Sequence, residues 1–109
     1  MIQATSKQNL DVNSSGAVVS TPVGRSITGT VQAEQSTGTF STAVITVVVS
    51  NDPAGVLFRN HPSAVSLTGP GITQPFNVSG YLYWGMKVTT VQGAAGTADV
   101  YFVGKDQSP

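Results

Sequence analysis

The chain contains no cysteine among its 109 residues. Disulfide frameworks, thiolate metal sites and cysteine nucleophiles are therefore excluded. Their absence favours folding in a reducing cytosol. Charge is also scarce: five Lys and Arg against five Asp and Glu give 9% charged residues and a net charge of zero. An ordinary soluble domain carries about 25%. Phosphate recognition needs a clustered excess of Lys and Arg, so nucleic acid is not an expected partner. An anionic membrane surface gains as little support. So neutral a surface favours association over a free monomer. Long apolar runs are missing too. The longest, Ala43 to Val49, is interrupted by Thr46 and is far too short to span a bilayer. The first residues, Met1-Ile2-Gln3-Ala4-Thr5-Ser6-Lys7-Gln8, hold no apolar signal segment.

Good helix formers are rare, with 4 Leu, 3 Lys and 1 Glu, whereas Val, Thr and Ser number 16, 13 and 12. Val and Thr are stiff at χ1 and suit a pleated surface. The 12 Gly and 6 Pro punctuate the chain at short intervals. The expected fold is all-β, an antiparallel two-sheet β-sandwich of about eight short strands. The strands fall at Ala17–Thr21, Ser26–Glu34, Thr39–Ser50, Val56–Arg59, Ala64–Thr68, Gln74–Val78, Tyr81–Val91 and Thr97–Lys105. Residues 16–109 form one domain. Residues 1–15 are polar, with Ile2, Leu10 and Val12 as isolated apolar points. They read as a frayed terminus or as an extended arm lying on a neighbouring subunit.

Two segments say more. Ala43–Val49 is apolar on both alternating faces, so its outer face is expected to be covered, by this chain or by another. The last two strands are expected to form a hairpin with a turn at Gly93-Ala94-Ala95. Pairing residues whose numbers sum to 188 sets Met86 against Phe102 and Val88 against Val100 on an inner face that also holds Leu82 and Trp84. The outer face then gathers Tyr83, Lys87 and Tyr101, with Gly85 at the centre. Tyrosines are amphipathic anchors at interfaces and at sugar-stacking sites. Tyr81, Tyr83, Lys87 and Tyr101 are the candidate partner-interface residues; the plainer alternative is strand residues partly covered by loops.

Catalytic chemistry finds little footing. His61, the one histidine, lies between Asn60 and Pro62 in a turn, and no nucleophile motif surrounds any serine. It reads as a turn residue, exposed or bonded to backbone. The carboxylates Asp11, Glu34, Asp52, Asp99 and Asp106 are dispersed along the chain. Asn51-Asp52 beside Gly55 reads as an Asx turn rather than a calcium loop. No glycine-rich phosphate motif occurs. The expectation is a protein that is not an enzyme and holds no cofactor or metal.

Several segments together carry a resemblance: the Val-rich strand Val44–Val49 with Ser50-Asn51-Asp52-Pro53, then Phe76-Asn77-Val78-Ser79-Gly80-Tyr81, then Lys87-Val88-Thr89-Thr90 and Gly96-Thr97-Ala98-Asp99-Val100-Tyr101. Over residues 39–105 the chain resembles the small β-sandwich structural proteins of tailed bacteriophages, nearest to head decoration (cement) proteins. The resemblance implies a jelly-roll-like sandwich and a virion role. It implies a homo-oligomer, a trimer for preference, seated where subunits of the major capsid protein meet, and the cysteine-free, signal-free chain fits assembly in a bacterial cytoplasm. It carries over no binding residues. The alternatives are a carbohydrate-binding or adhesion module, with the tyrosines stacking on a glycan, and a neck, tail or fibre component.

Overall fold

The computed structural model describes residues 3–39, 43–91 and 95–106. Residues 40–42 of the expected strand Thr39–Ser50, and Gly93-Ala94 of the expected turn, lie outside the described residues. The architecture is an all-β sandwich of two antiparallel sheets. In the first sheet, β1 (Gln3–Asp11) lies at one edge, next to β10 (Ala95–Lys105), then β3 (Thr28–Thr39). Two short strands, β7 (Gly71–Ile72) and β8 (Phe76–Asn77), pair with β3 at its far side. In the second sheet the order is β2 (Val18–Pro22), β9 (Tyr83–Thr90), β4 (Val44–Ser50), with β5 (Arg59–Asn60) and β6 (Ser66–Thr68) both on β4.

Alternation dictates which face is buried. Ile45, Val47 and Val49 on β4, and Trp84, Met86 and Val88 on β9, turn inward from the second sheet. Val31 and Ala33 on β3, and Ala98, Val100 and Phe102 on β10, meet them from the first. The aromatic centre is edge-to-face: Trp84 lies 5.1 Å from Phe102 and 5.5 Å from Phe76 between ring centroids. The inner faces expected for the last two long strands are correct for these residues. Their pairing is not. The hairpin with numbers summing to 188 does not exist, because β9 and β10 belong to different sheets. Trp84 and Phe102 meet across the core instead of along one sheet. Two strands with one apolar face each satisfy that face equally well beside one another or opposite one another, and here they lie opposite.

Residues 3–11 are extended as expected, but they are not an arm reaching away from the domain. β1 pairs with β10 along its full length, from Gln3 opposite Lys105 to Asp11 opposite Thr97. Leu10 and Val12 are fully inside the core. The doubly apolar strand is also resolved. Val48, on the outer face of β4, has no exposed surface in the single chain, so its cover comes from the chain itself. Gly71–Ile72, which falls between the expected strands Ala64–Thr68 and Gln74–Val78, adds a strand, and most of Val56–Arg59, expected as a strand, is loop.

His61 is bonded to backbone and buried, at 5% exposure. Its Nδ1 accepts from the Ser63 N–H at 3.0 Å, which leaves the proton on Nε2 to be donated to the Asn77 carbonyl at 2.6 Å. The ring thus ties the turn after β5 to β8 of the other sheet, with Phe76 packed at 5.4 Å between centroids. Replacing it leaves the Asn77 carbonyl and the Ser63 N–H without these partners and opens a cavity where the buried ring stood. His61→Ala is expected to lower unfolding free energy by about 2–4 kcal/mol. Urea melts of the two proteins check this; coincident curves would remove the ring from the account of stability.

Candidate functional site

The four candidate interface residues do not form one patch. Tyr83 and Lys87 lie on the outer face of the second sheet, opposite Ser50 and Thr46 of β4. Tyr101 lies on the outer face of the first sheet, between Lys7 of β1 and Gln32 of β3. The two faces are separated by the core. Tyr81 precedes β9 and is half-buried against the core, 6.3 Å from the His61 ring. Tyr83 is partly covered by its own chain. Gly55 lies against its ring, where a Cβ would sit 3.4 Å away, and the hydroxyl donates to the Pro53 carbonyl at 3.5 Å. Gly55 also has φ +68°, a left-handed conformation that suits glycine.

The apolar surface that is exposed gathers elsewhere. Among the described residues, four of the six exposed large hydrophobics, Ile27, Val56, Leu57 and Leu82, sit at one end of the sandwich. That end is where β2, β4 and β10 finish and β3 and β9 begin. Hydrogen bonds fix it as one unit. Leu82 N–H donates to the Ser50 carbonyl and its carbonyl accepts from Val23; the Ile27 carbonyl accepts from Val78. Val56 and Leu57 are 71% and 74% exposed, the most open of the set. Leu82 was expected inside with Trp84. It is 47% exposed because it precedes β9 and the alternation of that strand does not reach it.

The loop that carries Val56 and Leu57 is built around one carboxylate. Asp52 Oδ1 accepts from Ala54 N–H at 3.0 Å, and Oδ2 accepts from Val56 and Leu57 N–H at 3.1 Å each. Ser50 Oγ adds a bond to the Leu57 carbonyl. These backbone donors, Ala54 first, hold the Asp52 carboxyl below its usual value. A lowered carboxyl contributes its stabilisation in full above the ordinary aspartate range and loses it as the pH falls through the lowered value. The brace is therefore expected to release in acid below about pH 4. Amide chemical shifts of Ala54, Val56 and Leu57 should titrate together there while those of β9 stay fixed. Shifts that do not move would mean the loop stands without the carboxylate.

A second surface is the outer face of the first sheet. Lys7, Tyr101, Gln32 and Ile72 form one row across four strands. Ile72 is 65% and Tyr101 36% exposed. A groove of about 670 Å³ opens beside it, between β6 and the segment from β7 to β8, and no charged side chain lines it. The sequence pointed to Tyr101 but not to Val56 or Leu57. The signal was the Asn51-Asp52-Pro53-Ala54-Gly55 turn, whose aspartate reaches further along the chain than an Asx turn alone.

No family model matches the chain, and no curated protein matches it. Solved structures do. The crystal structure of the SPBc2 prophage-derived protein YomS superposes with a TM-score of 0.54 at 12% identity, over 95% of this chain and 96% of that one. A chain from a structure titled "Bacillus endospore appendages form a novel family of disulfide-linked pili" aligns with a TM-score of 0.48 at 11% identity, over 98% of this chain and 88% of that one. The likeness to the prophage-derived protein is one of fold.

Proposed function

We propose that the chain is a structural virion protein, a non-enzymatic decoration (cement) protein that docks on the outer surface of a phage head. The observation that carries this reading is the braced apolar end: Val56 and Leu57 held outward on a loop that a carboxylate fixes from within. Pre-ordered apolar side chains lose little entropy on docking, which suits a protein partner. A binding module of this kind needs only a standard interface, about 1,600 Å², and many copies on one shell add avidity. Two further features support it. The strand order nests β1 with β10, β2 with β9 and β3 with β7 and β8, which supports reading the sandwich as a jelly roll, an architecture common in capsid proteins. A prophage-derived protein also shares the fold. On this reading the partners are the major capsid protein and further copies of the chain.

The test is co-sedimentation of the purified protein with heads of the virus that encodes it. Leu57→Ser combined with Val56→Ser is expected to weaken head binding about tenfold or more, because truncating a central apolar anchor commonly costs over 1 kcal/mol. Both side chains are exposed, so the melting temperature should change little. Binding that survives the double substitution would move the docking face elsewhere. A chain that ignores heads but binds on a glycan array would replace this reading with the carbohydrate module.

A further inference from the structure

One side of the sandwich carries the two long edge strands, β1 of the first sheet and β2 of the second. Their hydrogen-bonding directions follow from bonds at their ends. Val12 N–H donates to the Gly96 carbonyl at 3.2 Å, in the same register as the β1–β10 ladder. Bonded and non-bonded pairs alternate in an antiparallel ladder. Ser6, Gln8 and Leu10 therefore also bond β10, while Thr5, Lys7, Asn9 and Asp11 aim N–H and C=O outward, at the free edge. On β2, Ala17 bonds Val88 and Val23 bonds Leu82, so Val18, Ser20 and Pro22 are the outward residues.

The two edges are treated differently. On β2 the Ser20 carbonyl accepts from Gln8 Nε2, and Pro22 has no N–H to offer. On β1 nothing comparable stands guard. It has no proline, and its register with β10 runs without a bulge. Its lysine is turned away from guarding the edge. Lys7 Nζ lies 3.9 Å from Asp99 and 5.6 Å from the centroid of the Tyr101 ring, drawn back over the sheet face. A long, unguarded edge is a template for another strand.

We propose that β1 is a docking strand for a second copy of this chain, paired antiparallel with the second copy's β1 about a two-fold axis. The occupant follows from what each copy has to offer. Among the described strands at a sheet edge, β2 is guarded and β5 to β8 are two or three residues long, which leaves β1. The register follows from charge. Full overlap would set Lys7 directly against Lys7, and like charges opposite one another destabilise a pair. A shift that makes paired numbers sum to 18 sets Lys7 of each copy against Asp11 of the other and Asn9 against Asn9. All three residues share the outer face and aim backbone groups at the edge. Pairing swings the exposed Lys7 from Asp99 toward the second copy's Asp11, whose carboxylate also accepts from Asn13 and Ser14 of its own turn. The pairing is thus complementary in charge as well as in hydrogen bonds. The two first sheets become one continuous sheet. Assemblies built this way are two-fold, against the trimer that the phage resemblance implies, and the pairing does not depend on the virion role.

The experiment is sedimentation equilibrium of the full chain and three variants, with melting curves as the check on folding. The full chain is expected to dimerise. Asn9→Pro removes an outward N–H and leaves the β10 ladder whole, so it should stay folded and weaken the dimer about tenfold or more. Lys7→Glu should do the same through repulsion from the second copy's Asp11, and it decides the matter if Asn9→Pro fails to fold. Asp11→Lys should also be monomeric alone, yet a mixture of Lys7→Glu and Asp11→Lys chains should regain the dimer, because each contact is then between opposite charges. A full chain that is monomeric or trimeric overturns the proposal. So does a dimer that Asn9→Pro and Lys7→Glu leave unchanged, or a mixture that stays monomeric.

Discussion

A chain lacking residues 1–12 is expected not to form the sandwich. The deletion removes Leu10 and Val12, whose side chains are 1% and 0% exposed. Burying each such side chain is worth about 1.5–3 kcal/mol, so the pair accounts for about 3–6 kcal/mol. A domain of this size has only about 5–15 kcal/mol in all. The deletion also strips β10 of its neighbour along nine residues and lays bare an edge containing Val100 and Phe102. Far-UV circular dichroism and amide dispersion in a proton–nitrogen correlation spectrum read the outcome. Loss of dispersion is expected. A truncated chain that melts cooperatively near the full-length temperature would return residues 1–12 to the status of an arm.

Trp84→Ala should be nearly as damaging. The indole is 1% exposed and touches Phe76 and Phe102 edge-on, joining both sheets. Truncating a buried aromatic ring costs about 3–5 kcal/mol. For a domain of about 100 residues this lowers the melting temperature by about 15–30 °C. The ring also explains Gly29. A Cβ there would stand 2.8 Å from Trp84 Cη2, too close for any real contact. Gly29→Ala should therefore cost much less in a Trp84→Phe background than alone, a coupling that a double-mutant cycle measures. Equal costs in both backgrounds would show that the glycine is there for another reason.

The sequence carried the faces of the strands better than their neighbours. Trp84, Met86 and Val88 alternate with Tyr83, Gly85 and Lys87, and the inward set is the buried one. Alternation is a property of one strand, so it survives whatever that strand pairs with. Pairing is a property of the whole chain. The assumption that consecutive strands are neighbours put β9 beside β10 and brought Tyr83 and Tyr101 onto one face, where the structure separates them. β1 is hard to read as part of the sheet because Ala4, Ser6 and Gln8 share its inner face with Leu10, leaving one large apolar residue to mark it. Residue type alone places Val56 and Leu57 in a strand. Asp52 takes the backbone donors that a ladder would have used, and no local pattern announces how far a carboxylate will reach.

The nesting of the first strand with the last has a consequence in time. β1 has its partners in residues 97–105, so the ladder between β1 and β10 cannot begin until those residues have been made. Pairings this remote in sequence are slow to form, since the loop they close must be ordered before any contact rewards it. The Val44–Val49 segment has no β9 to pair with until residues 83–90 follow it, and its opposing layer stays incomplete until β10 arrives. It is a short run of high β-propensity without charge, the kind that seeks other chains. The interval between synthesis and closure is thus the period of greatest risk for this protein. Its yield should depend on temperature and expression rate more steeply than the stability of the finished fold would suggest.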